Sequence, residues 1–133
     1  VLVIDTNVWI SYLLITPSTF GQKLDQVLKQ DAYAFSEATF TELAEVLMRP
    51  KFARFSSDAT RRDLLKKTAM AAEWFMPEEI ISACSDPNDD KFLELAVAAS
   101  AGHILTGDED LLCLDPFRNI RITTVASFQL DSI

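Results

Sequence analysis

The chain has 133 residues, 49 % of them hydrophobic, with three Gly and five Pro, the size and apolar content of one compact domain (1–133) rather than two. Twelve Lys and Arg against twenty Asp and Glu leave a net charge of −8, which argues against a protein that coats nucleic acid by bulk electrostatics. Absence of a long apolar run argues against a membrane span, the opening VLVID is too short for a secretory leader, and two cysteines are too few for a disulfide framework. A soluble, cytoplasmic protein is expected, with Cys84 and Cys113 as buried or half-buried free thiols.

In chain order, Val1–Ile4 is a short apolar run suited to a buried parallel strand, as are Ala32–Phe35, Ile80–Cys84, Ile104–Thr106 and Ile120–Val125. Helical patterns separate them. Val8–Leu14 follows Thr6 and Asn7 and is ended by Thr16-Pro17; Ser18–Lys29 carries Phe20, Leu24, Val27 and Leu28 on one side. Phe40, Leu43, Ala44 and Leu47 mark the next helix, stopped by Arg49-Pro50. Ala59–Phe75 is expected to be helical throughout, and Asp89–Ala101 to end at Gly102 as its C′ residue. This alternation predicts an α/β fold with a mostly parallel central sheet of about five strands, wrapped by helices on both faces. There are no repeats and no linker.

In a doubly wound sheet the site lies beyond the carboxyl ends of the strands. Asp5 closes the first strand in IDTN, Asp108 closes the fourth in ILTGDED, and Asp90 opens the helix that begins at the same end. Two carboxylates about 4 Å apart repel by about 4 kcal/mol at an effective dielectric near 20, so a convergent set needs protons or a cation. Oxygen-only ligands favour Mg²⁺ or Mn²⁺, one or two ions, and the chemistry that suits such ions is phosphodiester hydrolysis. Taken singly, each acid also reads as a helix cap. Glu42 lies about 200° around the helix from Phe40, and periodicity does not choose between it and Glu45 as the residue facing a cleft. A net charge of +5 between Arg49 and Lys67 marks either a phosphate-facing patch, with Arg49, Lys51 and Arg54 as substrate contacts, or an ordinary solvated helix face. Trp74, Phe75 and Met76 read as core or as a partner-facing patch, and His103 as structural.

Four ordered motifs then carry a resemblance over nearly the whole chain. They are the strand ending in Asp5-Thr6-Asn7, the T-x-x-E-L segment from Thr39 to Leu43, the helix start from Asp89 to Ala96, and the T-x-D-x-D-L turn from Thr106 to Leu111. The set resembles PIN-domain nucleases, and within them the VapC-like toxins of toxin–antitoxin pairs. The resemblance implies a catalytic set of Asp5, Glu42, Asp90 and Asp108, with Asp5, Asp90 and Asp108 on the metal. Asn7 and Thr106 would hold those ligands or orient substrate, with Asp110 as an extra acid. It further implies a Mg²⁺- or Mn²⁺-dependent endoribonuclease acting on single-stranded RNA, a homodimer, and a cognate antitoxin partner. The eighteen-residue interval to Asp108 favours Asp90 over Asp89. Two other readings stand beside it: a non-catalytic RNA- or protein-binding module on the same fold, and a receiver domain phosphorylated at Asp86.

Overall fold

The computed structural model describes residues 1–14 and 19–129, so the expected helix stop at Thr16-Pro17 and the start at Ser18 lie outside the described residues. The chain runs β1 (Leu2–Ile4), α1 (Thr6–Leu14), α2 (Thr19–Gln30), β2 (Ala34–Phe35), α3 (Glu37–Leu47), α4 (Asp58–Ala71), β3 (Glu73–Trp74), α5 (Asp90–Ala98), β4 (His103–Leu105), α6 (Glu109–Leu112) and β5 (Arg121–Thr123). Single 3₁₀ turns at Pro50–Phe52 and Pro87–Asp89 precede α4 and α5.

Among the described residues, all strand pairs are parallel. The central sheet has three strands, β1-β4-β5, and β2-β3 form a separate pair, joined to β1 by one bridge from Leu2 to Tyr33. The lateral order is thus β3-β2-β1-β4-β5, which reverses direction between β1 and β4. Side chains on successive strand residues point to opposite faces. Leu2, Ile4 and Leu105 therefore pack with Val8, Trp9, Leu24 and Leu43 under α1–α4, whereas Val3, Ile104 and Ile122 pack with Phe92, Leu93 and Ala96 under α5. Each of the valine, leucine, isoleucine and phenylalanine side chains among these contributes about 1.5–3 kcal/mol of apolar burial, which is why strands this short hold their register.

Three expectations are corrected. Ile80–Cys84 is not a strand: its backbone donors go to side chains of α5, with Ile81 N–H bonding Glu94 Oε2 at 3.0 Å and the Ala83 and Cys84 N–H groups bonding Asp90 Oδ1 at 3.0 and 2.8 Å. The third strand lies instead at Glu73–Trp74, inside the stretch expected to be helical to Phe75. There β2 offers an unfilled edge, and Glu73 N–H and Phe75 N–H bond Tyr33 O and Phe35 O, both at 2.9 Å; the Trp74 indole N–H turns back to the Ala69 carbonyl at 2.9 Å, which also accepts the Ala72 N–H at the α4 end. Finally, α5 stops at Ala98, and the left-handed residue is Ser100 (φ 50°) rather than Gly102. Ala101 N–H bonds Ala96 O at 2.9 Å and Ser100 N–H bonds Val97 O at 3.2 Å, the pair of bonds of a Schellman end.

The basic run is also divided by the fold. Arg61 is fully buried, its guanidinium bonded to Asp58 and to the Leu47 and Arg49 carbonyls at 2.9 and 3.1 Å, so it clamps α4 to the end of α3. Arg62 and Lys67 pair with Asp58 and Asp63. Arg49, Lys51 and Arg54 are exposed, the latter two lying over the rings of Phe52 and Phe55. Of the two free thiols, Cys84 is half-buried and Cys113 is exposed.

Candidate active site

The reversal of strand order between β1 and β4 opens a crevice at their carboxyl ends. Asp5 follows β1 and is 6 % exposed. Thr106, which follows β4 and is itself buried, donates its hydroxyl to Asp5 Oδ2 at 2.7 Å and accepts the Asp108 N–H at 3.0 Å. One threonine thus ties the two acids together. Asp5 also begins α1: its carbonyl accepts Trp9 N–H at 3.1 Å and its carboxylate takes the Asn7 N–H. Capping and site geometry coexist in one residue. Burial raises the Asp5 pKa above the usual carboxylate value, the Thr106 and Asn7 bonds oppose this, and the charges of Asp108 and Glu42 add to it.

Glu42 is half-buried and faces this crevice, whereas Glu45 is exposed. Its position is made by α3, whose N-cap Ser36 exchanges bonds with Thr39 in a capping box and so sets the helix phase. Thr6 donates to Glu42 Oε1 at 2.5 Å, while Asn88 Nδ2 donates to Oε2 at 3.3 Å and Lys91 Nζ forms an ion pair with the same oxygen. Lys91 carries no signal in the helical pattern that sequence reasoning used. Its partner on another helix emerges only from the packing of α5 against α3.

Of the two adjacent acids, Asp89 lies beside Asp108, and Asp90 turns toward the loop before the helix. Asp90 is buried at the start of α5, and its carboxylate holds the Ala83 and Cys84 backbone; those bonds keep its pKa below the usual range. Asp89, in the preceding 3₁₀ turn, is the acid that reaches Asp108. Carboxylate oxygens of Asp89, Asp108 and Asp110 all lie within 4.8 Å of one another. Burial, then the Asp108 charge and a hydrogen bond shared with it, push Asp89 up to about 7. Asp108 caps α6, accepting Asp110 N–H at 2.9 Å, and Asp110 and Asn7 are exposed at the rim. Asp86 is an exposed cap for Asn88 N–H at 2.9 Å, with no strand before it. That removes the setting the receiver reading needs.

The donor set is all oxygen, and two of its members, Asp5 and Asp89, have pKa values raised chiefly by burial, with the charge of neighbouring carboxylates adding to it. Such a set fits a hard divalent cation. His103 stands apart, edge-on to Phe128 with centroids 4.8 Å apart, its pKa lowered by burial and then by Arg121.

A family model described as "PIN domain" matches residues 1–110, and the chain belongs to the PIN-domain family. PIN domains are in general nucleases, which implies a nucleic-acid substrate. The chain is also similar to "Uncharacterized protein MJ1680" of Methanocaldococcus jannaschii, 28 % identical over 126 residues, covering 92 % of this chain and 81 % of that protein. No helix among the described residues is long and apolar enough to cross a membrane.

Proposed function

We propose that the protein is a Mg²⁺- or Mn²⁺-dependent endoribonuclease that hydrolyses phosphodiester bonds of single-stranded RNA, working in the cytoplasm as the toxin of a toxin–antitoxin pair. The observation that carries the nuclease reading is the convergence of Asp5, Glu42, Asp89 and Asp108 at the point where the strand order reverses. The toxin role, the antitoxin and a homodimer rest on the motif resemblance.

Asp5, Asp89 and Asp108 would hold the cation, with Asp110 at the rim. When bound, a divalent ion neutralises substrate phosphate and lowers the pKa of an attacking water. Thr106 holds Asp5 in one rotamer and places the Asp108 backbone. Thr6 and Lys91 fix Glu42 so that its carboxylate stays turned into the crevice, suited to accept a proton from water. Asp89, pushed up to about 7 by burial and then by the Asp108 charge, is only partly ionised at neutral pH without a cation beside it. Water adds to phosphorus as the bond to the 3′ oxygen breaks, leaving 5′-phosphate and 3′-hydroxyl ends. Asp90 contributes by supporting the loop before α5. Arg49, Lys51 and Arg54 are exposed just past the end of α3 and are the candidate contacts to substrate phosphate.

Titration calorimetry of Mn²⁺ into wild type and Asp5→Asn, with cleavage of a mixed single-stranded RNA pool, tests the proposal. Binding and cleavage that both fail in the variant support it. Cleavage in excess chelator refutes it, and metal binding without cleavage of any RNA favours the non-catalytic binding module.

A further inference from the structure

Beside the acidic crevice, at the same carboxyl ends of the strands, runs a second concavity of about 770 Å³ between the start of α3, the exit of β3 and the first turns of α5. Its walls include Trp74, Phe75, Met76 and Pro77, with Glu37 and Lys91 at the polar side. Trp74 is 47 % exposed and Met76 86 %; Phe55, Met70 and Ile80 are the other large apolar side chains left open among the described residues, but only Trp74 and Met76 sit together in the wall of a concavity. The indole is not loose. Its ring packs on Phe35 and Phe40 with centroids 5.6 and 5.4 Å away, and its N–H is bonded to Ala69 O. A flat aromatic surface is thus held in place with half its area open.

Lys91 joins this groove to the acidic centre. The residue lines the groove, and its ammonium pairs with Glu42 and donates to Asn88 O at 2.6 Å. An ammonium has three donors; among the described residues two find oxygen partners, and the group also lies 5.4 Å from the Phe92 ring centroid.

Resting on the nuclease reading above, we propose that this groove is a nucleobase subsite for single-stranded nucleic acid. A base stacks on Trp74 against Met76, and the phosphate of the same nucleotide meets Lys91 on its way to the acidic centre. The volume suits one or two nucleotides, since ligand cavities run roughly 300–1,000 Å³. The charge pattern selects a base over a backbone track, because a phosphate channel needs a row of cations and the groove has a single lysine beside Glu37 and Glu94. Those carboxylates face the amino and imino hydrogens of a base edge. An apolar protein segment would use the same hydrophobic wall, but it would give Lys91 no anion and has no reason to end at the acidic centre.

The test titrates a short single-stranded RNA into the full chain in chelator, reading tryptophan fluorescence and the anisotropy of an end label. Trp9 is 2 % exposed, so quenching reports Trp74. The expected result is saturable quenching, an affinity about 10-fold weaker in Trp74→Ala and nearly retained in Trp74→Phe. The same RNA built with abasic sites should bind wild type as weakly as intact RNA binds Trp74→Ala. Mn²⁺ affinity by calorimetry should be unchanged in both variants. RNA binding that ignores Trp74→Ala or the loss of bases, or that leaves fluorescence unmoved, overturns the proposal and points to a protein segment as the occupant. The two readings fail separately. Mn²⁺ binding and cleavage without base-dependent stacking removes only the subsite, whereas stacking without metal binding or cleavage removes only the nuclease.

Discussion

Adjacent residues Asp89 and Asp90 should respond to mutation in opposite ways. Asp90 accepts two backbone N–H bonds at 3.0 and 2.8 Å from a loop that has no strand to satisfy them. Hydrogen bonds to a charged group contribute about 1.5–3 kcal/mol each, and water replaces part of that for the exposed Ala83, so Asp90→Ala should cost about 3 kcal/mol. At roughly 3–5 °C per kcal/mol for a chain of this size, Tm falls by about 10 °C, with or without metal. Asp89 lies within 4.8 Å of Asp108, where full charges repel by about 3.5 kcal/mol at a dielectric of about 20. Partial protonation of Asp89 at neutral pH and solvent screening together reduce this to about 1 kcal/mol for a half-exposed pair. Asp89→Asn should therefore raise Tm by a few degrees in chelator and lose most of the stabilisation that Mn²⁺ gives wild type. Differential scanning calorimetry in chelator and in Mn²⁺ measures all four quantities. If Asp90→Ala weakens Mn²⁺ binding and leaves the chelator Tm unchanged, the assignment of the two aspartates is reversed and the spacing argument for Asp90 was right.

Replacing Arg61 with Ala leaves the Leu47 and Arg49 carbonyls unpaired and opens a cavity between α3 and α4, a loss of about 3–5 kcal/mol measurable by urea unfolding. Ser100→Gly relieves a left-handed residue at the α5 end and should stabilise by about 1 kcal/mol, raising Tm by roughly 4 °C; no change would mean that the Ser side chain compensates. Asp115 has its pKa lowered by hydrogen bonds from Arg121 and from Ile122 N–H. A folded-state pKa below the unfolded value stabilises above about 3.9 and is lost as pH falls through the folded value. Asp115→Asn should therefore be less stable than wild type at pH 7 and converge with it in strong acid, and a difference constant across pH would refute the charge argument.

The α/β class, β1 ending at Asp5 and the short buried strands around Asp108 were legible because apolar runs and helical spacing are local signals, and burial on both sheet faces leaves few polar choices. The acids at the strand ends followed from the same order of elements. Local signals could not decide which neighbour faces the crevice. Glu42 rather than Glu45 turns inward because Thr6 and Lys91, remote in sequence, meet it there. Asp89 reaches Asp108 because Asp90 is held by the Ala83–Cys84 backbone, and that contact also explains why an apolar run at residues 80–84 never becomes a strand. The α4 helix gives way to β3 at Glu73 because β2 has an open edge to fill, a demand set across the fold by Tyr33 and Phe35. Periodicity records which side chains avoid water; which polar groups find each other depends on distances between elements, and these exist only once the chain has folded.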